Sequence, residues 1–185
     1  MNKHVIIDSL VAIDELDTLQ ELARTADGCI VEIGSYKGSS TITLAKGSLE
    51  GKNSVVYSID NFKGNTEFEE YRKDFYSTFL YNVIYTGSSG AVFPIVMDSV
   101  EASKLFQCNV GLIFIDGNHS YKGVKGDYNA WFPKISVNGI IAIHDTLPRD
   151  DFDGPFRLKD ELLKDNKVKF IEQVNSMAIF KKVKE

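Results

Sequence analysis

The sequence predicts an α/β three-layer sandwich: a seven-stranded, mostly parallel sheet with helices on both faces and an antiparallel hairpin at its C-terminal end. Three observations carry this. Short apolar runs alternate with helix-period segments along most of the chain. The most apolar run, Gly111 to Ile115, has helical patterns on both sides, as a central strand of a parallel sheet requires. The last two apolar runs, Val168 to Val174 and Met177 to Val183, are separated only by Asn175-Ser176. That turn is too short for a crossover, so the two strands pair antiparallel.

Each element has its own signature. From Asp14 to Ala26, the residues Leu16, Leu19, Leu22, Ala23 and Ala26 form one apolar stripe, and Asp27-Gly28 ends it. Cys29 to Ile33 is a buried strand carrying one acid, Glu32. Gly34 to Gly38 is a turn, and Ser39 to Lys46 is a helix opened by capping residues. Ser54 to Ile59 is the second strand and stops at Asp60. Asn65 to Tyr85 is aromatic and charged and reads as one long helix or two short ones. Thr66 is its cap, with Glu69 three residues on, and Phe68, Tyr71, Phe75, Phe79 and Tyr81 are expected to pack in the core rather than to line an acceptor pocket. Ser88 to Gly90 is a loop. Val92 to Met97 is the third strand, which Pro94 pushes toward a sheet edge or a bent start because it has no N–H to give a ladder. Helices follow from Val100 to Phe106, from Tyr121 to Phe132 with Pro133 closing it, and from Pro155 to Leu163. Gly139 to Ile143 is the fifth strand.

The 185 residues suit one domain over 1–185, with a core large enough to need no staple. A net charge of -5 disfavours a nucleic-acid backbone as the main partner. Lys181, Lys182 and Lys184 read as a solvated tail. Cys29 and Cys108 read as small buried hydrophobes near strand starts, with no CxxC pair and no disulfide framework. No leader pattern and no membrane-length apolar run is present, so the expected setting is the cytoplasm, without a membrane partner. The oligomeric state is open and compatible with a homodimer.

Polar residues then cluster at the expected strand ends. Val31 to Ser40 sits between a strand and a helix, where open α/β sheets bind ligands. Gly34 lets the backbone turn sharply and approach a ligand, Gly38 leaves room where the helix starts, and Ser35, Tyr36 and Ser39 complete the loop. The spacing is G-x-x-x-G rather than the dinucleotide G-x-G-x-x-G, and Glu32 stands inside the motif. An acid there repels a pyrophosphate and suits a ligand carrying a cationic amine and a sulfonium. Asp60, followed by Asn61, is placed to accept hydrogen bonds from ribose hydroxyls. Asp98, followed by Ser99, is placed to accept from the exocyclic amine of adenine or to cap the next helix, and the two roles are compatible.

These residues resemble motif I of the class I S-adenosylmethionine-dependent methyltransferases. The run Phe114-Ile115-Asp116-Gly117-Asn118-His119-Ser120-Tyr121, with Val124, Asp127 and Trp131 and then Gly139 to Asp145, is more specific. It is similar to the "methyltransferase domain 24" family, relatives of the macrolide and cephalosporin tailoring O-methyltransferases. The resemblance spans almost the whole chain. It implies a Rossmann-like seven-stranded sheet, S-adenosylmethionine as methyl donor and a small-molecule acceptor, most simply at a hydroxyl oxygen.

A second cluster follows from strand order. Asp116 closes the fourth strand, His119 lies just beyond it, and His144 and Asp145 close the fifth. All four are expected to face one crevice beside the transferred methyl group as the catalytic set. Asp116 also borders the cofactor. Asp116, His144 and Asp145 offer oxygen and imidazole ligands for a divalent cation such as Mg²⁺. His119 is the alternative catalyst, a metal-free general base. The resemblance implies an acid matching Asp116 and an adjacent pair matching His144 and Asp145; the first of that pair is commonly an acid or carboxamide-type ligand, and here it is histidine, which leaves a softer metal or no metal open beside Mg²⁺. Two rival functions stand beside methyl transfer: a cofactor-binding module without chemistry, and a nicotinamide-dependent oxidoreductase. Intact strand-end acids disfavour the first, and the loop spacing with Glu32 disfavours the second. The loop Thr146 to Gly154, with Arg149, Asp150, Asp151 and Asp153, lies where a substrate lid belongs.

Overall fold

In the computed structural model, residues 7–63, 75–149 and 153–185 are described. The elements are α1 (Ile13–Thr25), β1 (Cys29–Ile33), α2 (Ser39–Glu50), β2 (Val56–Asp60), α3 (Tyr76–Tyr85), β3 (Val92–Val96), α4 (Ser99–Leu105), β4 (Val110–Ile115), α5 (Tyr121–Trp131), β5 (Ile135–Ile143), α6 (Gly154–Leu162), β6 (Val168–Val174) and β7 (Met177–Lys182). They build one seven-stranded sheet in the order β3-β2-β1-β4-β5-β7-β6. The first five strands pair in parallel, and β7 inserts antiparallel between β5 and β6. Chain order reverses between β1 and β4, and this switch point is where an open α/β sheet leaves a crevice at the carboxyl ends of its strands.

The period-2 alternation of strand side chains divides the core between two faces. On one face Ile30, Val56, Leu112, Phe114, Ala142 and Ile179 pack under α1, α2 and α3, against Leu19, Leu44 and Phe79. On the other, Val31, Ile33, Ile113, Ile115, Ile141 and Ile143 pack under α4, α5 and α6, against Ala102, Trp131, Leu158 and Leu162. Every residue of β4 is buried, as its unbroken apolar run requires. Pro94 lies on β3, an edge strand.

Several details depart from the sequence reading. β5 begins at Ile135 rather than Gly139: Ile135 pairs with Val110 across a register shift, and the half-buried and exposed Ser136–Asn138 hide the strand's start. α2 runs on to Glu50. Of the aromatic segment, α3 begins at Tyr76 and buries Phe79 and Val83, while Tyr81 is exposed and stacks on Tyr85 on the outer face; Thr66, Phe68, Glu69 and Tyr71 lie outside the described residues. Cys29 is buried, but Cys108 is exposed in the loop before β4, its Sγ 3.8 Å from the Tyr57 hydroxyl. Lys182 is not part of a solvated tail. It is fully buried on β7, where Nζ donates to the carbonyls of Ile135 at 2.9 Å and Phe132 at 3.1 Å and meets Glu185 at 2.8 Å. No helix among the described residues is long and apolar enough to cross a membrane.

Candidate functional site

The carboxyl ends of the central strands are stitched in line. Gly34 N–H donates to Ile59 O at 3.0 Å, Asp116 N–H to Ile33 O at 2.8 Å and His144 N–H to Ile115 O at 3.0 Å. Above this line opens a crevice of about 850 Å³. A volume of this size accommodates a small-molecule ligand. Gly34, Ser35, Tyr36, Ser39, Asp60, Asn61, Asp98, Ser99, Asp116, His119, His144 and Asp145 all border it.

The loop after β1 is shaped by its neighbours. Gly34 has φ +85°, and a Cβ there would stand 2.1 Å from the Asp116 carbonyl oxygen. Close approach of two strand-end loops therefore demands glycine, whatever ligand is bound. Gly38 (φ +91°) precedes α2, and its missing side chain leaves space for the Phe79 ring, 3.1 Å from the position of a Cβ. Asp60 clamps the loop from β2. Its Oδ2 accepts from the amides of Ser35 at 2.9 Å and Tyr36 at 3.1 Å, and its Oδ1 from Phe62 N–H at 2.7 Å. Glu32 lies one layer below the crevice rather than on its wall. It is fully buried and accepts from the hydroxyls of Ser35, at 2.9 Å, and Thr41. Burial pushes its carboxyl up to about 7, against the hydroxyls of Ser40, Thr41 and Ser35. It braces the loop from beneath.

At the end of β3, Asp98 caps α4, accepting from the amides of Val100 at 3.0 Å and Glu101 at 3.1 Å. The Ser99 hydroxyl donates to the buried Asp127, whose carboxyl burial pushes up to about 6. Ser99 O also accepts from the Trp131 indole at 3.1 Å, fixing α5 against α4.

At the ends of β4 and β5, His144 is buried among carboxylates. Its Nδ1 lies 3.1 Å from Asp116 Oδ1 and 3.5 Å from Asp145 Oδ2, and its Nε2 lies 3.0 Å from Glu15 Oε2. Burial alone would lower its pKa, but the Asp116 charge and the hydrogen bonds to Asp116, Asp145 and Glu15 override this and hold the imidazolium up to about 12. Conversely, burial would raise Glu15 and Asp116, yet both sit at about 2, Glu15 through His144, the Ala12 amide and Ser176, and Asp116 through the charge of His144 and its hydrogen bonds to His119 and His144. His119 Nε2 lies 3.4 Å from Asp145 Oδ2 and 3.7 Å from Asp116 Oδ1, and Arg149 reaches Asp145 at 3.5 Å from the rim. Residues 150–152 of the expected lid lie outside the described residues.

The backbone is strained where the ligand region lies. Among the described residues, the non-glycines with positive φ are three asparagines (Asn53, Asn138 and Asn175) together with Tyr36, Phe62 and Asp145. The last three all border the crevice, and they are residues for which the left-handed conformation is costlier than for asparagine, apart from Asp145, which shares some of its tolerance.

Two contributions escaped the sequence reading. Residues 8–11 form part of the crevice wall ahead of α1. Glu15 is the other: with Leu19 and Ala23 it makes an i, i+4, i+8 stripe on the buried face of α1. An acid on an apolar stripe is the signal that would have found it.

Residues 31–146 match the model of a methyltransferase domain family. The Sinorhizobium fredii protein y4gI is 28% identical over 138 residues, which cover 72% of this chain and 15% of that protein; the chain thus spans a small part of that relative's length. Among solved structures, the O-methyltransferase NovP superposes with a TM-score of 0.79 at 13% identity, covering 95% of this chain and 82% of that one. TomG from Streptomyces achromogenes, an O-methyltransferase involved in tomaymycin synthesis and solved with S-adenosylmethionine, gives 0.70 at 15% identity, with the same coverages of 95% and 82%. An O-methyltransferase from Bacillus cereus, solved with S-adenosylhomocysteine, gives 0.69 at 18% identity, with coverages of 94% and 82%. These likenesses establish the shared fold, and the match over 31–146, more than half of the chain, establishes that it belongs to the methyltransferase domain family.

Proposed function

We propose that this chain transfers the methyl group of S-adenosylmethionine to a hydroxyl oxygen of a small molecule. The observation that supports it most is the convergence of two sets of groups on one crevice. The loop after β1, Asp60 and Asp98 stand on one side, and Asp116, His119, His144 and Asp145 on the other. On this reading the loop residues Ser35, Tyr36 and Ser39 border the amino-acid end of the donor. Asp60 and Asn61 take the ribose, and Asp98 with Ser99 the adenine. The donor supplies an electrophilic methyl on a sulfonium, and transfer to oxygen leaves a neutral thioether.

The second set positions the acceptor. Methyl transfer is an in-line displacement, so orientation carries much of the rate. His119, with Nε2 beside both Asp116 and Asp145, takes the hydroxyl proton, and the adjacent carboxylates stabilise the imidazolium that forms. The donor set also fits a divalent cation. One ligand atom from each of Asp116, His144 and Asp145 lies within 4.8 Å of the others, and three carboxylates, with Glu15, face the one buried imidazole of His144. A bound cation there supplies positive charge that lowers the pKa of the acceptor hydroxyl.

Thermal denaturation with S-adenosylmethionine, S-adenosylhomocysteine and NAD tests the donor assignment, because a ligand of the native state raises its apparent stability. The first two are expected to raise Tm and NAD to leave it unchanged. The reverse pattern overturns the proposal.

A further inference from the structure

We propose that His144, oriented by Glu15, makes the Asp116–Asp145 cluster select a nitrogen-preferring divalent transition ion, of the Co²⁺ or Ni²⁺ kind, over Mg²⁺. This rests on the cation reading above and assigns the class of ion and the residue that sets it.

The argument begins with Glu15, whose carboxylate is fixed from several directions. Oε1 accepts from Ser176 N–H and from the Ser176 hydroxyl, each at 2.8 Å, and Oε2 accepts from Ala12 N–H at 2.9 Å. These donors belong to the start of α1 and to the β6–β7 turn, so the carboxylate is tied between two elements and is not free to swing toward Asp116. It acts on the imidazole instead. With Nε2 held 3.0 Å from Oε2, Nδ1 is the ring atom turned toward Asp116 and Asp145, and a cation bound there would take the place of the proton that Nδ1 otherwise holds toward Asp116. The backbone amide of His144 is bonded to Ile115 O, and the ring meets Phe114 edge-on with centroids 6.1 Å apart, so both ends of the residue are located.

A carboxylate on one ring nitrogen and a ligand position at the other is the arrangement that orients a metal-binding histidine and raises its basicity. An imidazole nitrogen in the donor set favours Co²⁺, Ni²⁺ and the later ions. Mg²⁺ prefers oxygen donors and retains several waters. Two carboxylates and one imidazole make a mixed site, and the imidazole is the donor that discriminates.

The test is calorimetric titration of the chelator-treated full chain with MgCl₂, NiCl₂ and CoCl₂, in parallel with thermal melts. In the wild type, Co²⁺ and Ni²⁺ are expected to bind at least ~10-fold more tightly than Mg²⁺. His144→Asn offers an oxygen instead and should collapse the Co²⁺-to-Mg²⁺ ratio toward one. Glu15→Gln should weaken Co²⁺ by about 10- to 100-fold with little change for Mg²⁺. The proton spectrum of the Co²⁺ form should show a hyperfine-shifted, exchangeable imidazole N–H that His144→Asn lacks. Wild type and His144→Asn decide the question even if Glu15→Gln fails to fold. Equal or tighter Mg²⁺ binding in the wild type, or an unchanged ratio in His144→Asn, overturns the inference and leaves the cation reading standing. Absence of heat and of any Tm shift with all three ions overturns both.

Discussion

Glu15 Oε2 and His144 Nε2 stand 3.0 Å apart although 129 positions separate the two residues in the chain. The contact ties the first helix to the end of the fifth strand, and through Ser176 to the final hairpin. Three parts of the sequence that carry no motif in common thus fix the orientation of one ring at the floor of the crevice. The same residues that build the fold therefore set the electrostatics of the site.

Asp60→Ala removes the acceptor of three loop amides, those of Ser35, Tyr36 and Phe62. Leaving such donors unsatisfied costs about 1–3 kcal/mol each where they are not rescued by water. A lowered Tm is expected, together with a loss of S-adenosylhomocysteine affinity of at least ~10-fold, the equivalent of one charge-assisted hydrogen bond. Calorimetry on the folded variant measures both. Unchanged affinity would remove Asp60 from the donor site.

Gly34→Ala should fail through the fold rather than through the ligand. The new Cβ would stand 2.1 Å from the Asp116 carbonyl oxygen and 2.7 Å from its carbon, at a backbone φ that alanine disfavours. A large fall in Tm or loss of soluble protein is expected in circular-dichroism melts without any ligand. A wild-type melting curve would contradict the packing described for this loop.

Much of this architecture is legible in sequence because it rests on local patterns. The β1 to β5 alternation, the short Asn175-Ser176 turn and the unbroken apolar β4 each carry their own period and punctuation. Asp60, Asp116, His144 and Asp145 could be placed at strand ends, and the sheet order brings them together. What could not be read is which polar partners meet across the chain. Glu32 looked like a ligand contact because its position beside the loop is local, whereas its turn inward to Ser35 and Thr41 depends on packing between β1 and α2. Lys182 looked like tail because lysines are rarely fully buried, and only the carbonyls of Phe132 and Ile135 explain it. Glu15 stands on the apolar stripe of α1, a local signal, but its partners His144 and Ser176 are not local.

Glu32 also carries a pH signature. Its carboxyl is raised from 4.5 to about 7 by burial, so the folded state binds a proton that the unfolded state releases between those values. The corresponding stability is present in full below about 4.5 and is lost as pH rises through 7, a difference of up to ~3 kcal/mol. Glu32→Gln removes this titration. Between pH 5 and 7 the Tm of the wild type should fall relative to that of Glu32→Gln, and above about pH 8 the difference should be constant. A difference that does not vary with pH would show that Glu32 is ionised throughout.

His119→Ala should lower kcat by about 10²–10⁴-fold if the imidazole takes the acceptor proton, with donor affinity nearly intact because His119 stands on the acceptor side. The comparison is made with a hydroxyl-bearing acceptor found by screening for S-adenosylhomocysteine formation. Wild-type turnover in this variant would shift proton removal to the carboxylates of Asp116 and Asp145.

The central claim is that this crevice binds the methyl donor, and calorimetric titration of the wild-type chain with S-adenosylhomocysteine tests it most directly. The account predicts saturable binding at one site per chain, weakened in Asp60→Ala and absent for NAD. No heat with S-adenosylhomocysteine, or saturable binding of NAD in its place, would contradict it.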